Sequence, residues 1–189
     1  MKRLDLVIGP NGSGKSTFVE LTLAPTLPTS VFVNADIIAR QRWPHDAEAK
    51  SYEAAQSAAA TRDALIDAGR SFIAETVFSH PSKLDVIIRA QANGFVVVVH
   101  VLLVPESLAV LRVSHRVASG GHSVPEEKIR ERYHRLWPLA AEAIASSQQA
   151  TVYDSSAGTP RVVARFSGGS PVGAMSWPTW TPTALAGLA

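Results

Sequence analysis

Gly9-Pro10-Asn11-Gly12-Ser13-Gly14-Lys15-Ser16-Thr17 is the stretch that decides the fold of this chain. It has the spacing G-x-x-x-x-G-K-[ST], and it follows the apolar run Leu4 to Ile8, which reads as the strand such a loop needs before it. Behind it, Thr17 to Leu23 reads as a short helix that Pro25 stops, with Phe18 and Leu21 turned inward. Glycines at 9, 12 and 14 let the backbone curl until successive N–H groups converge, and the helix N-terminus adds its partial positive charge there. Such a cradle suits a polyphosphate. Its expected members are Gly9, Asn11, Gly12, Ser13, Gly14, Lys15, Ser16 and Thr17. Lys15 is expected to reach the β- and γ-phosphates of ATP, and the Ser16 hydroxyl to bind Mg²⁺.

Composition narrows the class. With 189 residues, 46% of them hydrophobic and 18% charged, the chain has the size and balance of one folded domain with a substantial core. A formal charge of +2, with basic and acidic residues interspersed, argues against a nucleic-acid surface. There is no cysteine, so disulfide and thiolate chemistry are excluded and a reducing cytoplasm is the expected location. Met1-Lys2-Arg3 leads straight into the first strand, so no signal peptide is expected. The longest apolar run, Phe95 to Val104, is too short to span a bilayer, so no membrane partner is expected either.

Further along, Val31 to Val33 reads as a second buried strand ending at Asn34-Ala35-Asp36. An alanine-rich helix is expected over Asp46 to Ala68, with Asp46 as N-cap, Gly69 as stop, and Ala55, Ala58, Ala59, Arg62, Leu65 and Ile66 near helical spacing. Ser71 to Ala74 is a third strand, ending at Glu75-Thr76. A helix follows from Pro81 to Gly94, with Leu84, Ile87 and Ile88 inward. Phe95 to Val104 has the continuous β-branched character of a central parallel strand. Next come a helix over Pro105 to Ala118, with Leu108, Leu111 and Val117 inward, and another from Pro125 burying Ile129, Tyr133, Leu136 and Trp137. Pro138 either kinks or ends it. Thr151 to Tyr153 and Arg161 to Phe166 read as late strands. The alternation predicts a three-layer α/β fold with a mostly parallel central sheet around the P-loop, and the glycines between two arginine-bearing helices a helical lid over about 112–135. Residues 1–166 form the expected domain. Residues 167–189, uncharged and containing Pro171, Pro178 and Pro182, form a tail that Trp177 and Trp180 are expected to pin down.

In open α/β sheets ligands lie beyond the carboxyl ends of the strands, where Asp36 and Glu75 both fall. A carboxylate touching an attacking hydroxyl serves as base and positioner, which suits Asp36; Glu75 could hold substrate hydroxyls or a water on Mg²⁺. Glycines between two arginine-bearing helices suit a closing lid that brings Arg116 and Arg132 onto the phosphates. His122 is a further contact for phosphate or substrate.

Gly9 to Thr17, Asn34-Ala35-Asp36, Glu75-Thr76 with Ser79, Arg116 through Gly120-Gly121-His122 to Val124-Pro125, and Tyr153-Asp154-Ser155-Ser156 together resemble the zeta-toxin family of P-loop kinases, in the family's order. The resemblance implies a fold like that of nucleotide and shikimate kinases. It also implies transfer of the ATP γ-phosphoryl to a hydroxyl, with the amino sugar of UDP-N-acetylglucosamine as the acceptor in some members. Asp36 would then be the base and Lys15 with Arg116 and a second lid arginine would act on the phosphates. Glu75, Thr76, Ser79 and His122 would face the acceptor, and an antitoxin protein is an implied partner. The second family arginine aligns at His122, or its place is taken by Arg130 or Arg132, and a family threonine is replaced by Val77. A separate reading of the same cradle is a nucleotide-dependent switch or NTPase acting through a protein partner, with the Trp177 and Trp180 tail as its candidate surface.

Overall fold

In the computed structural model, which describes residues 1–118 and 124–188, the alternation of Leu4, Leu6 and Ile8 with Asp5 and Val7 sets the layers. These residues form strand β1, Arg3–Ile8, whose two faces meet different packing partners. A seven-stranded sheet is built around β1 in the order β2-β3-β1-β4-β5-β6-β7. Here β2 is Val31–Val33, β3 Phe72–Thr76, β4 Val96–Leu103 and β5 Gln149–Asp154, all parallel; β6 (Arg161–Ser167) and β7 (Ser170–Pro171) turn back antiparallel.

The Leu4, Leu6 and Ile8 face meets the helices α3 (Ser51–Asp67), α4 (Leu84–Ala92) and α6 (Glu126–Ser146) through Ala58, Ile66, Ile87, Leu136 and Ile144. Tyr133 Oη donates to the Val104 carbonyl at 3.0 Å, tying α6 to the end of β4. On the other face Val7, Ile73 and Leu102 pack on Phe18, Val19 and Leu23 from the α1 region (Lys15–Phe18). The result is the three-layer, mostly parallel α/β architecture that the alternation predicts. Helices α2 (Ala35–Arg42) and α5 (Glu106–Ala118) stand beside the carboxyl ends of the strands, and a short α7 (Thr183–Ala186) closes the chain.

Several expectations need correction. The turn after α1, Val19–Leu23, is a π-helix, and its wider winding turns Val19 and Leu23 inward while Leu21 stays 76% exposed. Strand β2 lies at the sheet edge, and of its three residues only Val33 is buried. The helix expected from Asp46 starts at Ser51 with Lys50 at its cap, and its inner stripe runs through Ala54, not Ala55. In α4 the stripe runs through Ile87 and Ala90, leaving Ile88 exposed. In α5 it runs through Ala109, Val110 and Val113, leaving Leu111 exposed. The small Ala109 suits the closeness of α5 to the glycine loop, where a β-carbon on Gly12 would sit 2.6 Å from the Ala109 carbonyl oxygen. Helix α6 continues through Pro138. Helix α2 was not expected at all.

Residues beyond 167 return to the body. Ser170 and Pro171 pair with β6, Leu185 is fully buried in the main core, and Met175, Trp177 and Trp180 pack half-buried against it.

One charged group is buried within the sheet. Asp5, fully buried, accepts two hydrogen bonds of 2.7 Å from the Arg3 guanidinium and lies 2.9 Å from His100 Nε2. Burial pushes the Asp5 carboxyl up, but its hydrogen bonds to His100 and Arg3 and their charges outweigh that and leave it below the ordinary carboxylate value. A depressed native value means stability is present above the unfolded value, about pH 4, and is lost as the pH falls below it. We expect Asp5→Asn to cost about 2–4 kcal/mol at neutral pH and to weaken the acid-dependent loss of stability, read from urea denaturation across that pH range.

Candidate functional site

The register of the sheet assembles the site. Val7 pairs with Glu75 and Ile8 with Thr76, so the end of β3 stands beside the strand that leads into the glycine loop. In that loop Gly12 (φ +78°) and Gly14 (φ +83°) take left-handed conformations that favour glycine, and Gly14 caps α1. Ser13 is buried, and Thr17 is exposed on α1. The Asn11 Oδ1 and Ser13 Oγ atoms are buried without a hydrogen-bond partner among the described residues.

Lys15 is only 7% exposed, and its ammonium donates to the Pro10 carbonyl at 3.0 Å. Burial is the strongest influence and pulls this ammonium below its ordinary value. Glu75 and Asp36 push it up, and Arg116 pushes it down. Three of the residues singled out in the sequence thus lie within electrostatic reach of a fourth.

Glu75 is the centre of the polar contacts. Ser16 Oγ lies 2.9 and 3.1 Å from its two oxygens, and Asn34 Nδ2 donates to the nearer one. The other end of the Asn34 amide caps α2: its Oδ1 accepts from the backbone N–H groups of Asp36 at 2.7 Å and Ile37 at 3.1 Å. Asp36 therefore sits in the first turn of α2, exposed, where a carboxylate suits the partial positive charge of the helix end. Asn34 is a residue type that the sequence already marks as a common cap; what sequence reasoning missed is its second bond, to Glu75.

Thr76 ends β3, and its hydroxyl accepts from the Phe78 N–H at 3.3 Å. Ser79 is half-buried just beyond and makes no side-chain hydrogen bond among the described residues. Arg116 stands exposed in the last turn of α5. Arg132, half-buried on α6, makes no hydrogen bond or ion pair among the described residues, and Arg130 is taken up by Glu126 at 2.7 Å and Glu106 at 3.0 Å. His122 lies outside the described residues. A further residue emerges that sequence reasoning left inside a lid segment. The Arg112 guanidinium donates to the Gly12 carbonyl at 3.3 Å and to the Ser155 and Ser156 carbonyls at 3.0 Å each. It fastens the glycine loop to the segment after β5. The guanidinium spreads its fixed donors over two nitrogens, which suits carbonyls on two separate segments.

The residues fit a nucleoside triphosphate and a divalent cation. The left-handed glycines, the orphaned Asn11 and Ser13 oxygens and the buried Lys15 suit phosphates, while the Ser16 hydroxyl and Glu75 carboxylate supply hard oxygen donors.

A family model described as an AAA domain matches residues 4–139, well over half of the chain. The chain belongs to this AAA-domain family. Among curated proteins, an uncharacterized protein of Haemophilus influenzae is 28% identical over 126 residues, which make up 66% of this AAA-domain chain and 88% of that protein. Among solved structures, a chain of the AvrRxo1-ORF1:-ORF2 complex with ATP aligns at a TM-score of 0.72 with 17% identity, over 91% of this chain and 60% of that one. A chain from the PezAT chromosomal toxin-antitoxin system of Streptococcus pneumoniae aligns at 0.64 with 14% identity, over 82% of this chain and 68% of that one. The chain thus spans about 60% of the length of the first of these neighbours. At these identities the shared property is the fold alone.

We expect Arg112→Met, which removes the bridge between Gly12 and the 155–156 carbonyls, to weaken ATP binding about tenfold, or 1.4 kcal/mol. Equilibrium titration with ATP checks this.

Proposed function

We propose that the protein transfers the γ-phosphoryl group of ATP to a hydroxyl of a small molecule, in the manner of the zeta-toxin kinases. The observation that carries this reading is the convergence of Lys15, Ser16, Glu75 and Asp36 at one end of the sheet, with Asn34 joining Glu75 to the helix that presents Asp36. A simple phosphate-binding loop has no use for a second, exposed carboxylate beside its lysine; an alcohol that must lose a proton does.

In this mechanism Gly9 to Thr17 wrap the phosphates and Lys15 lies against the β- and γ-groups. The acceptor hydroxyl sits between Asp36 and Glu75. Its oxygen forms a bond to the γ-phosphorus as the bond from that phosphorus to the bridging oxygen of ADP breaks, and Asp36 takes the hydroxyl proton. Mg²⁺, held through Ser16 and on the side of Glu75, would neutralise charge on the phosphate oxygens. Arg116, with Arg132 or His122 as the second lid group, adds positive charge as the lid closes. Positioning and charge neutralisation supply most of the rate.

A nucleotide sugar of the UDP-N-acetylglucosamine kind is the leading acceptor, supported by the resemblance of the Glu75-Thr76-x-x-Ser79 and Arg116 to Pro125 segments to the zeta-toxin motifs. The PezAT neighbour comes from a toxin-antitoxin system, which supports an antitoxin protein as the partner. A cytoplasmic location accords with the cysteine-free sequence. No described helix is long and apolar enough to cross a membrane. The switch reading loses its proposed surface, because Trp177 and Trp180 pack against the core.

Incubation with γ-labelled ATP and a metabolite extract should label a small molecule. Asp36→Asn should bind ATP within twofold of the parent yet transfer phosphate at least about 100-fold more slowly. Transfer by this variant at the parent rate would remove Asp36 as the base.

A further inference from the structure

A cavity lies between α6, the start of α5 and the returning tail. Its volume is about 430 Å³, within the range of small-ligand sites, and none of its lining residues belongs to the glycine loop or to the Asp36 and Glu75 pair. Tyr133 and Trp137, one turn apart on α6, form one wall, and Trp180 from the tail forms another. Pro105, Pro138 and Pro182 add apolar lining.

The walls are held in place by the fold. Tyr133 and Trp137 are buried, and the Tyr133 hydroxyl is fixed by the Val104 carbonyl. Fully buried Leu185 anchors the tail just beyond Trp180 and Pro182. The rings of Tyr133 and Trp137 meet edge to face, with centroids 5.2 Å apart and planes at 78°. That contact uses the edge of one ring, so most of their ring faces are left to other neighbours.

The charge of the lining has one sign. Glu106, at the start of α5, is its one carboxylate, and no lysine or arginine lines the cavity. The Glu106 oxygens are held by Arg130 at 3.0 Å and His134 at 3.3 Å. Arg130 is shared with Glu126 at 2.7 Å, so one guanidinium serves two carboxylates and, with His134 neutral, the group stays negative. This charge is felt on the aromatic wall: burial pushes the Tyr133 phenol up to about 12, and Glu106 adds to the rise. Pro138 has no N–H to donate to the His134 carbonyl one turn earlier, which leaves a further partial negative charge in α6.

Aromatic faces carry the negative part of a quadrupole, so the three rings and Glu106 favour the same sign of ligand. A bare metal ion or a primary ammonium needs several hydrogen-bond acceptors, which rings and prolines do not supply. A cation clothed in methyl groups gives up little hydration and packs against both. We propose that this cavity is a binding site for a quaternary ammonium group of the choline kind, enclosed by Tyr133, Trp137 and Trp180 with Glu106 as counter-charge. The site is independent of the kinase reading. Its occupant touches α5, the helix that clamps the glycine loop through Arg112.

The test titrates the full chain with choline and with its neutral isostere, the alcohol in which carbon replaces the nitrogen. Ring currents should shift the choline methyl signal in proton NMR, and calorimetry should give the affinity. The isostere should bind at least about tenfold more weakly than choline, and Trp180→Leu and Glu106→Gln should each weaken choline at least about tenfold. Where choline binds, phosphatidylcholine vesicles separate its two sources. Sedimentation of the parent but not of Glu106→Gln with the vesicles identifies a lipid headgroup, and its absence identifies a free cation. No choline binding by the parent, equal binding of the isostere, or parent-like choline affinity in either variant overturns the proposal. Should Trp180→Leu fail to fold, Glu106→Gln and the isostere decide.

Discussion

The site depends on one carboxylate shared between two donors. Glu75 receives Ser16 from the glycine loop on one side and Asn34 from the cap of α2 on the other. It is presented there by the parallel pairing of Val7 with Glu75, which is a property of the sheet and not of the loop. A one-residue slip of β3 against β1 would turn Glu75 to the opposite face. The buried apolar residues on both faces of β1 and β3 oppose that slip, so the core holds the chemistry in register.

Lys15 is acted on by opposing influences beside this carboxylate. Removing an ammonium from water is costly, and the structure offsets the cost with a backbone carbonyl at 3.0 Å and with the nearby charges of Glu75 and Asp36. Arg116 works the other way, and burial remains the strongest influence, so the ammonium is held below its ordinary value. Helix α5 brings Arg116, presses Ala109 against Gly12 and clamps the loop through Arg112. One helix thus shapes the loop from outside while β1 feeds it from within.

The layers, strand sequence and phosphate loop were legible because each rests on local signals: apolar runs, glycine spacing and proline stops. Asp36 and Glu75 could be placed at strand ends from the same signals. Inner faces were less legible. Leu21, Ile88 and Leu111 were expected inward on hydrophobicity alone, whereas the π-turn after α1 and the close approach of α5 select Val19, Ala109 and Val113 instead. Helix α2 escaped notice because Ala35 to Arg42 is short and polar, and its stability comes from the Asn34 cap and from packing on α3. The long-range roles of Asn34 and Arg112 depend on partners 41 and up to 100 residues away, which no local pattern can reveal.

The two margins of the sheet carry a final consequence. One ends in β2, three residues long, and the other in β7, two residues long and containing Pro171. Strand-to-strand recruitment needs a run of free backbone donors and acceptors, and neither margin offers one of useful length. A protein that recognises this fold must therefore grip helices and side chains, and its specificity would be written in surface residues that can diverge without disturbing the sheet.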